Sequence, residues 1–590
     1  MSKVRLAIIN KDRCKPTKCQ HECRKICPEN RQGKECITIS QQRGSTATIS
    51  ETFCIGCNMC VKVCPFMAIQ IVNLPVELTT EIVHRYDENG FRLYRLPLLS
   101  RGQVTGIMGS NGIGKSTILQ ILAGSIIPNF ENGLSKEAVV KYFRGTSLQE
   151  YFSKLYAGTL RVSRKPQILD QLSQTIDEYF FPLNLPDLLK SMTGRTMNTL
   201  SGGELQQAVV YKTLMADADV YIFDEPTNFL DVKGRLMVAQ EIQKLSQRDD
   251  RPYVILVEHD LAILEACSDV VSLMYGVPSA YGVVSLPHST ANAINMFFRG
   301  YIPSENMRIR PEPYSYKLGI QVSYETNLVS ADTVPYPETY ISYSVDGDRP
   351  FILTVKAGSF QKESSLTVIL GRNGVGKSSF LYRLKAILSE QGLTVSHKPQ
   401  HPTITHTNTY PTVQAFVQRN MFRKHMSDPV FQTDVLRPMN IDSFQDKKIN
   451  VLSGGELQRF MTLCCLATEA HVYLLDEPSA NLDIEQRAII TRILKRFAMH
   501  FKKAVFVIEH DILMATSLAS EIFSQILVFT GDHEKRIFQA EKPNTFAESM
   551  NIFFRNLDVT LRTDKTNGRP RINKFGSVLD QEQKKKGRYI

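Results

Sequence analysis

The chain has 590 residues, enough for about three or four domains of roughly 150 residues each. Hydrophobic residues make up 43% and charged residues 22%, which excludes a disordered or low-complexity chain. No apolar stretch approaches the roughly 18 to 20 residues that cross a bilayer, so the sequence also excludes a membrane pore. The apolar stretch near the N-terminus is too short for the core of a signal peptide, and we expect a cytoplasmic protein.

The net charge of +11 comes from two regions. Residues 1–36 carry ten basic and four acidic residues, and residues 562–590 carry nine basic and three acidic residues. The sequence between them is close to neutral. Both regions are candidates for binding a polyanion, and the alternative is that they are solvated surfaces that aid solubility.

Nine of the twelve cysteines lie within residues 14–64, and their spacing indicates metal ligation. A C-x2-C-x2-C-x3-C run followed by proline is typical of bacterial ferredoxins and is formed by Cys54, Cys57, Cys60 and Cys64. A second run, with longer spacings, also ends in Cys-Pro and is formed by Cys14, Cys19, Cys23 and Cys27. Zinc is the alternative metal, but tetrahedral zinc does not require the proline after each run.

In two-cluster ferredoxins the fourth cysteine of each run ligates the other cluster. The two runs therefore predict two four-iron four-sulfur clusters. The first would be held by Cys14, Cys19, Cys23 and Cys64, and the second by Cys27, Cys54, Cys57 and Cys60. Cys36 is predicted to be a nonligand, and the last three cysteines are predicted to be core thiols.

Beyond residue 75 the sequence contains an internal repeat. Four motifs occur twice in the same order: GSNGIGKST at 109–117 and GRNGVGKSS at 371–379, LSGGELQQ at 200–207 and LSGGELQR at 452–459, VYIFDEP at 220–226 and VYLLDEP at 472–478, and VEHD at 257–260 and IEHD at 508–511. The repeat predicts two P-loop nucleotide-binding domains in tandem.

The glycine-rich loops are predicted to surround the phosphates of ATP with backbone N–H groups, and their lysines to reach the terminal phosphates. The residues concerned are Gly109, Asn111, Gly112, Gly114, Lys115, Ser116 and Thr117 in the first domain, and Gly371, Asn373, Gly374, Gly376, Lys377, Ser378 and Ser379 in the second. Magnesium would be held by Ser116 and Asp224, and by Ser378 and Asp476.

A carboxylate follows each of these strand-end aspartates and can polarise the attacking water, so Glu225 and Glu477 are the predicted catalytic bases. His259 and His510 each follow another apolar strand and are predicted to contact the terminal phosphate.

The LSGGE motif opens a helix with a serine and two glycines, which makes an anion site for a nucleotide held by the opposite domain. The prediction is a head-to-tail pair of composite sites. Site one would combine the first P-loop with Ser453, Gly454 and Gly455, and site two would combine the second P-loop with Ser201, Gly202 and Gly203.

These motifs resemble those of ABC-type ATPases. Together with the cysteine runs, nearly the whole chain resembles the ABC subfamily E, also called RNase L inhibitor. The stretches that carry this resemblance are CIGCNMCVKVCPFMAIQIVNLP at 54–75, HRYDENGF at 84–91, GVPSAYGVVSLP at 276–287 and RPRINK at 569–574. The resemblance implies an α/β fold with an N-terminal two-cluster ferredoxin-like iron–sulfur domain and two tandem ABC ATPase domains, arranged head-to-tail with a hinge. It also implies that Tyr86 and Phe91 stack on the adenine of site one, and that Gln167 and Gln400 are the Q-loop residues at magnesium.

The implied domains are an iron–sulfur domain over 1–75, a first ATPase domain over 76–275, a first hinge segment over 276–311, a second ATPase domain over 312–554, and a second hinge segment with a basic tail over 555–590. The first ATPase domain has about 29 extra residues between its P-loop and Q-loop, near 129–160, which predict a helix-loop-helix. The family uses this element against the small ribosomal subunit; plain packing on the domain is the alternative.

Three features depart from the family pattern. The helical arm over 168–199 is about 19 residues shorter than that of the second domain. Gln207 stands where the second domain has Arg459, and Arg372 stands where the family often has an acidic residue. Every predicted catalytic residue is nevertheless present in both halves, so we expect two active but inequivalent sites.

By this resemblance the protein is an ATPase that splits post-termination or stalled ribosomes and stays on the small subunit until hydrolysis resets it. The implied partners are the small subunit and its ribosomal RNA, a release factor or its stalled-ribosome relative, and initiation factors, with no membrane and a monomeric state off the ribosome. A transporter subunit, an ATP-driven redox enzyme and an iron-free tandem translational ATPase are the alternatives. Long heptad repeats, which chromosome-maintenance ATPases need, are absent from the sequence.

Overall fold

The computed structural model describes residues 3–11, 13–39, 46–75, 81–87, 89–130, 135–166, 173–310, 312–314, 332–344, 350–400, 412–418, 426–520, 524–564 and 566–590. An N-terminal domain of short elements precedes two α/β domains, each built on an eight-stranded sheet. This architecture confirms the fold class predicted from the sequence.

The N-terminal domain consists of two antiparallel ribbons and short helices. Strand β1 (Lys3–Ile9) pairs with β4 (Ile69–Pro75), and β2 (Ile37–Ile39) pairs with β3 (Ala47–Ile49). The helices span Glu22–Ile26, Pro28–Arg31 and Met59–Val63. Pro28 is the first residue of its helix, where the missing N–H has no intrahelical partner to lose.

The first α/β domain contains β5 (Ile82–Arg85), β6 (Arg92–Tyr94), β7 (Val104–Met108), β8 (Val162–Arg164), β9 (Val220–Asp224), β10 (Tyr253–Val257), β11 (Val270–Val277) and β12 (Tyr281–Ser289). Their spatial order is β5-β6-β12-β11-β7-β10-β9-β8. Strands β7, β9 and β10 are parallel and buried along their whole length, which explains their continuous apolar sequences. Helices span Lys115–Leu122, Lys136–Tyr142, Ser147–Tyr156, Ile176–Phe180, Gly202–Met215, Val232–Ser246, Leu261–Cys267 and Thr290–Arg299.

A short ribbon of β13 (Tyr301–Ile302) and β14 (Met307–Arg308) leads to the second α/β domain. That domain contains β15 (Thr333–Tyr336), β16 (Thr339–Tyr343), β17 (Phe351–Val355), β18 (Gly358–Gln361), β19 (Ser365–Leu370), β20 (Val395–Lys398), β21 (Val472–Asp476), β22 (Ala504–Ile508), β23 (Ser524–Asp532) and β24 (Ile537–Ala540). Its eight-stranded sheet has the order β16-β17-β24-β23-β19-β22-β21-β20, so each strand has a counterpart at the same place in the first sheet.

The helices of the second domain carry the repeated motifs at the same places as those of the first. They span Lys377–Glu390, Val413–Val417, Pro429–Phe431, Arg437–Met439, Gly454–Ala467, Ile484–His500, Ile512–Ala519 and Phe546–Leu557, with a π-helical stretch at Gln432–Leu436. The C-terminal segment forms β25 (Leu561–Thr563), β26 (Pro570–Ile572) and a last helix, Val578–Lys585.

Two helices, Lys136–Tyr142 and Ser147–Tyr156, occupy the extra segment of the first domain. Their apolar residues Val139, Leu148 and Phe152 are buried in the core of that domain. Packing therefore accounts for these three residues, whereas Tyr142 of the first helix is 45% exposed.

The segment boundaries drawn from the sequence do not coincide with the structural elements. The boundary at 275/276 falls inside β11, and β12 lies within the first sheet although the sequence analysis placed it in a hinge. The arm over 168–199 contains the short helix Ile176–Phe180 and 3-10 turns, while its first residues lie outside the described ranges.

The basic C-terminal segment is folded onto the first α/β domain. The side chain of Arg569 is 0% exposed and donates to Glu265 Oε2 at 2.6 Å, and it lies 3.8 Å from Asp564. Arg571 pairs with the same two carboxylates. These arginines hold β26 against the helix Leu261–Cys267, so part of the basic charge is neutralised inside the protein.

We expect Arg569→Ala to destabilise this attachment by about 3 kcal/mol, because two carboxylates lose a buried counter-charge. Hydrogen exchange of the β25 and β26 amides measures the change. Lys574→Ala, a change of an exposed lysine in the same segment, is the control and should leave exchange unaltered. Equal protection in the two variants would contradict a structural role for Arg569.

Candidate ATP sites and iron-sulfur domain

Each P-loop connects a central strand to a helix that begins at its lysine. Lys115 Nζ donates to the carbonyl oxygens of Gly109 and Ser110 at 2.8 and 2.9 Å. Gly114, which ends the loop, has φ +96°, and a Cβ there would lie 2.6 Å from the Phe91 ring. The loop is thus held in a shape that only glycine allows at this position.

The second P-loop repeats this geometry. Lys377 Nζ donates to the carbonyl oxygens of Gly371 and Arg372 at 3.0 and 2.6 Å. Gly376 has φ +93°, and a Cβ there would lie 2.8 Å from the Phe351 ring. The remaining predicted phosphate residues lie in the same loops and first helical turns: Asn111, Gly112, Ser116 and Thr117, and Asn373, Gly374, Ser378 and Ser379.

The predicted catalytic groups of site one lie together at the ends of β9 and β10. Asp224 is the last residue of β9, and Glu225 follows it with φ +47°. His259 Nε2 lies 3.1 Å from Glu225 Oε1. Burial raises the pKa of Glu225, but the nearby His259 ring and Lys115 outweigh burial and hold it below its usual range. Burial lowers the pKa of His259, so the pair is a carboxylate beside a neutral imidazole.

Site two has the same arrangement with one different contact. His510 Nε2 lies 3.4 Å from Glu477 Oε1, and Gln400 Nε2 donates to the same oxygen at 2.9 Å. In site one the amide of Asn228 donates to Glu225, and Ala480 stands at that place in the second domain. Gln167, the predicted partner of Gln400 in the first domain, lies outside the described residues.

Two buried lysines that the sequence analysis missed support the aspartates. Lys165 Nζ donates to the Asp224 carbonyl oxygen at 3.1 Å, and Lys398 Nζ donates to that of Asp476 at 2.8 Å. Both lysines directly precede the Pro-Gln pair of a predicted Q-loop. The repetition of the triplet KPQ in the two domains is the feature of the sequence from which they could have been predicted.

The aromatic residues predicted for site one lie beside its P-loop. Tyr86 is 38% exposed, and its hydroxyl lies 3.4 Å from Thr117 Oγ1. The corresponding aromatic pair in the second domain, Tyr343 and Phe351, has ring centroids 5.9 Å apart. This pair was not predicted, because the HRYDENGF stretch is not repeated in the second domain, although the strands match.

Both signature motifs cap a helix as predicted. Ser201 accepts from the Glu204 backbone N–H at 3.3 Å, and Ser453 accepts from that of Glu456 at 3.3 Å. Gly202, Gly203, Gly454 and Gly455 form the first turns of these helices.

The two α/β domains face each other head-to-tail across the sites. A cavity of about 1460 Å³ is lined on one side by Ser201 and Gly202–Gln207 of the first domain, and on the other by Arg372–Gly374 and Gly376–Ser379 of the second. Tyr343, Gln400 and Glu477 also line it. Site two is therefore assembled from both domains.

Two aspartates that the sequence analysis missed connect each domain to the opposite P-loop. Asp483 Oδ2 accepts from the Asn111 backbone N–H at 2.9 Å, and Asp231 Oδ2 accepts from the Asn373 backbone N–H at 3.1 Å. Both follow a Leu in the repeated segments TNFLD and SANLD, which was the signal available in the sequence.

Arg372, which departs from the family pattern, takes part in this contact. Its Nε lies 3.6 Å from Asp231 Oδ2, and the matching residue of the first P-loop is Ser110. Site two thus has an ion pair across the domain interface at a place where site one has a hydroxyl.

The cysteines of the N-terminal domain surround two separate cavities. One is lined by Cys14, Cys19, Cys23 and Cys64, and the other by Cys27, Cys54, Cys57 and Cys60. Backbone N–H groups donate to Cys14 Sγ at 3.5 Å and to Cys64 Sγ at 3.4 Å. Cys36, 1% exposed, also lines the second cavity. In the described part of the chain no group of three or more Cys, His, Asp or Glu is gathered for a single metal ion.

No helix within the described ranges is both long and apolar enough to cross a membrane.

Comparison with known families identifies the domains. The ABC transporter model matches residues 98–228 and 359–480, a model described as a possible Fer4-like domain in RNase L inhibitor matches 4–35, and the 4Fe-4S binding domain model matches 47–70. The translation initiation factor RLI1 of Chaetomium thermophilum is 43% identical over 100% of this chain and 97% of its own length. ABC transporter E family member 1 of Arabidopsis thaliana is 40% identical over 99% of this chain and 98% of its own.

The chain belongs to the ABC subfamily E, or RNase L inhibitor, family. An archaeal ABCE1 chain, solved as a model of ribosome-bound Pelota and ABCE1, has 37% identity and a TM-score of 0.89 over 100% of this chain and 99% of its own. A complex of the archaeal ribosomal stalk protein aP1 with the recycling factor aABCE1 has 37% identity and a TM-score of 0.77 over 86% of this chain and 99% of its own. As a subfamily E protein, the chain is an ATPase with two nucleotide-binding domains and an N-terminal domain that binds iron–sulfur clusters.

We expect Glu225→Gln and Glu477→Gln each to lower hydrolysis at their own site by at least about 100-fold, because the amide cannot accept the proton of the attacking water. In rapid-quench measurement of phosphate release, each single variant should lose only the contribution of its own site, and the double variant should lose both. The double variant should retain bound ATP. Unchanged turnover in the double variant would refute both glutamates as bases.

Proposed function

We propose that this protein is an ATP-driven ribosome recycling factor. It splits post-termination or stalled ribosomes with a release factor or its relative, and it stays on the small subunit until hydrolysis resets it. The full-length match to ABCE1 solved with Pelota on the ribosome supports these partners. The aABCE1 complex with a stalk protein supports ribosome binding, and the RLI1 relatives support an additional role with initiation factors.

The observation that carries the proposal is that site two is divided between the domains. Its P-loop and Glu477 belong to the second domain, whereas the signature helix belongs to the first. ATP bound between them contacts both halves, so it stabilises the closed arrangement and its hydrolysis releases it. Closure and reopening of the two domains is the motion available to separate ribosomal subunits.

The iron–sulfur domain is attached to the loop that holds the adenine residues of site one. Asn89, between Tyr86 and Phe91, is buried; its Nδ2 donates to the Ile49 carbonyl oxygen at 2.8 Å, and its Oδ1 accepts from the Ile49 N–H at 2.8 Å. Its backbone carbonyl oxygen also accepts from the Ile9 N–H at 3.1 Å. Movement of this loop is therefore transmitted to the iron–sulfur domain.

Charged contacts surround the same junction. Arg92, which is buried, pairs with Glu51 of the iron–sulfur domain, and Arg85 Nη2 lies 3.4 Å from Glu51. Lys11 pairs with Asp87 at 2.5 Å on the exposed side. The buried Arg92 pair fixes the orientation of the iron–sulfur domain, whereas the exposed pair contributes little.

We assign magnesium to Ser116, Asp224 and Gln167 in site one and to Ser378, Asp476 and Gln400 in site two. The donor set of site two fits the ion, because Asp476 Oδ1 is buried without a hydrogen-bond partner and its carboxyl interacts with Ser378. Burial raises the pKa of Asp476, and a divalent cation there would favour its charged form. When bound, the ion neutralises charge on the terminal phosphates.

Two four-iron four-sulfur clusters are proposed for the N-terminal domain, with the ligand sets predicted from the cysteine spacing. The division of eight cysteines between two cavities supports this count. Cys36 is proposed as a nonligand, although it lies in the second cavity. The clusters support a rigid domain that presses on the release factor.

The predicted segments 1–75, 76–275, 276–311, 312–554 and 555–590 remain part of this proposal, with the first ATPase sheet extended through β12 (Tyr281–Ser289). So do the cytoplasmic location and a monomeric state off the ribosome. The exposed charges of residues 1–36 and 562–590 provide the sequence-independent contacts to ribosomal RNA phosphates.

We expect this protein, with release factor and ATP, to convert post-termination ribosomes into subunits in sucrose-gradient sedimentation, and to leave them joined without nucleotide. Asn89→Ala should lower splitting more than ATP hydrolysis, because the iron–sulfur domain loses its buried attachment to the adenine loop. Lys11→Ala, which removes only an exposed ion pair, is the control. Intact ribosomes in the presence of rapid ATP hydrolysis by the unaltered protein would overturn the proposed function.

Anaerobically purified protein should contain about eight irons per chain with absorbance near 400 nm. Cys36→Ser should retain this iron, whereas Cys57→Ser should lose roughly half of it, because only Cys57 belongs to a ferredoxin run. Zinc in place of iron, or equal iron loss in both variants, would contradict the assignment.

A further inference from the structure

A pair of buried arginines lies between the two ATP sites. Arg487 is on the helix Ile484–His500, and Arg235 is at the same place on the helix Val232–Ser246. Their side chains are only 10% and 12% exposed. Neither residue belongs to a motif that binds nucleotide, so their burial requires another explanation.

Arg487 makes two hydrogen bonds with different parts of the second domain. Its Nε donates to the Leu482 carbonyl oxygen at 3.0 Å, and its Nη1 donates to Asp511 Oδ2 at 2.7 Å. Leu482 precedes Asp483, which accepts from the P-loop of site one at Asn111. The arginine therefore joins the segment that contacts site one to Asp511.

Asp511 directly follows the histidine of site two. The backbone N–H groups of Asp511 and His510 both donate to Glu509 Oε1, at 3.1 and 2.8 Å. His510 in turn lies 3.4 Å from Glu477. A continuous series of contacts thus runs from the P-loop of site one to the predicted base of site two.

The mirror series has the same geometry. Arg235 Nε donates to the Leu230 carbonyl oxygen at 2.8 Å, and its Nη1 donates to Asp260 Oδ2 at 2.8 Å. Leu230 precedes Asp231, which accepts from the P-loop of site two, and Asp260 follows His259 of site one.

The two series meet at the centre of the interface. The helix Leu261–Cys267, which Asp260 caps, contacts the helix Ile512–Ala519, which Asp511 caps. Burial, and then the charge of Asp511, raise the pKa of Asp260. Arg235 and Arg487 both oppose this rise, so the charges of the two series act on one another at the interface.

We propose that Arg235 and Arg487 are positioning residues that couple the two ATP sites in a crossed manner. The Arg487 series makes the placement of Glu477 in site two depend on the P-loop of site one. The Arg235 series makes the placement of Glu225 in site one depend on the P-loop of site two. The coupling concerns ATP hydrolysis alone, so it is tested without ribosomes.

The test uses the full-length protein with its clusters and two backgrounds. Glu225→Gln restricts hydrolysis to site two, and Glu477→Gln restricts it to site one. Arg487→Lys and Arg235→Lys are then measured in each background. Lysine keeps the positive charge beside the buried aspartate, but its single nitrogen lacks the fixed fork that bonds both partners.

With hydrolysis restricted to site two, Arg487→Lys should lower kcat roughly tenfold and change KM for ATP less than about twofold, the loss expected for one hydrogen bond to a charged group. Arg235→Lys should leave kcat of site two within about twofold. When hydrolysis is restricted to site one, Arg235→Lys should lower kcat roughly tenfold, and Arg487→Lys should leave it within about twofold. Lys244→Arg, on the exposed side of the Arg235 helix, should change neither site.

A loss of the same size at both sites for each arginine variant would overturn the proposal, because it would mean that the arginines only stabilise the interface. Unchanged kcat at both sites would overturn it as well. Asp511→Asn gives an independent test, since asparagine still caps its helix while the charged bond to Arg487 is lost. It should reproduce the site-two defect, and a normal site two in this variant would contradict the Arg487 series.

Discussion

The contact between each P-loop and an aspartate of the opposite domain is the interaction on which the rest of this structure depends. Asp483 and Asp231 accept from the backbone N–H groups of Asn111 and Asn373, respectively. These N–H groups belong to the loops predicted to surround the phosphates, so each domain is hydrogen-bonded to the nucleotide site of the other. A protein whose sites were each complete within one domain would hydrolyse ATP without having to move.

Burial at this interface sets the chemistry of the sites. Glu225 and Glu477 keep their charge in a half-buried position because a lysine and a histidine lie beside each of them. Each glutamate directly follows the aspartate that ends a strand, and the glutamate itself has a positive φ. This backbone conformation turns the glutamate side chain out of the sheet and toward the histidine that follows the neighbouring strand. The two sites still differ: Arg372 forms an ion pair with Asp231, whereas the first P-loop has Ser110 at the place of Arg372.

The iron–sulfur domain and the C-terminal segment are both attached to the first ATPase domain, and each attachment has a buried polar centre. Asn89 occupies one and Arg569 the other. A buried polar group is costly unless all its partners are in place, so each attachment has a well-defined geometry. Motion of the first domain therefore carries the iron–sulfur domain with it, whereas the C-terminal segment also bonds to Asn551 of the second domain and so joins the two ATPase domains.

The sequence by itself determined the fold class, the two nucleotide-binding domains and the iron–sulfur domain, because these depend on local motifs of fixed spacing. The P-loop needs glycine before Lys115 and Lys377, and a cluster needs thiols at ferredoxin spacing, so both requirements are visible as short motifs. The proximity of Glu225 and His259, which the structure shows, also follows from two strands that end at one sheet edge.

Only the tertiary structure revealed what lies between the repeated units. Asp231 and Asp483 follow a leucine in both repeats, but the sequence does not show that their partners lie 142 and 372 residues away in the opposite domain. The basic charge of Arg569 and Arg571 looks like part of a tail in the sequence, whereas the fold pairs it with Glu265. Such contacts depend on how whole domains are oriented, and the local pattern of residues carries no information about that orientation.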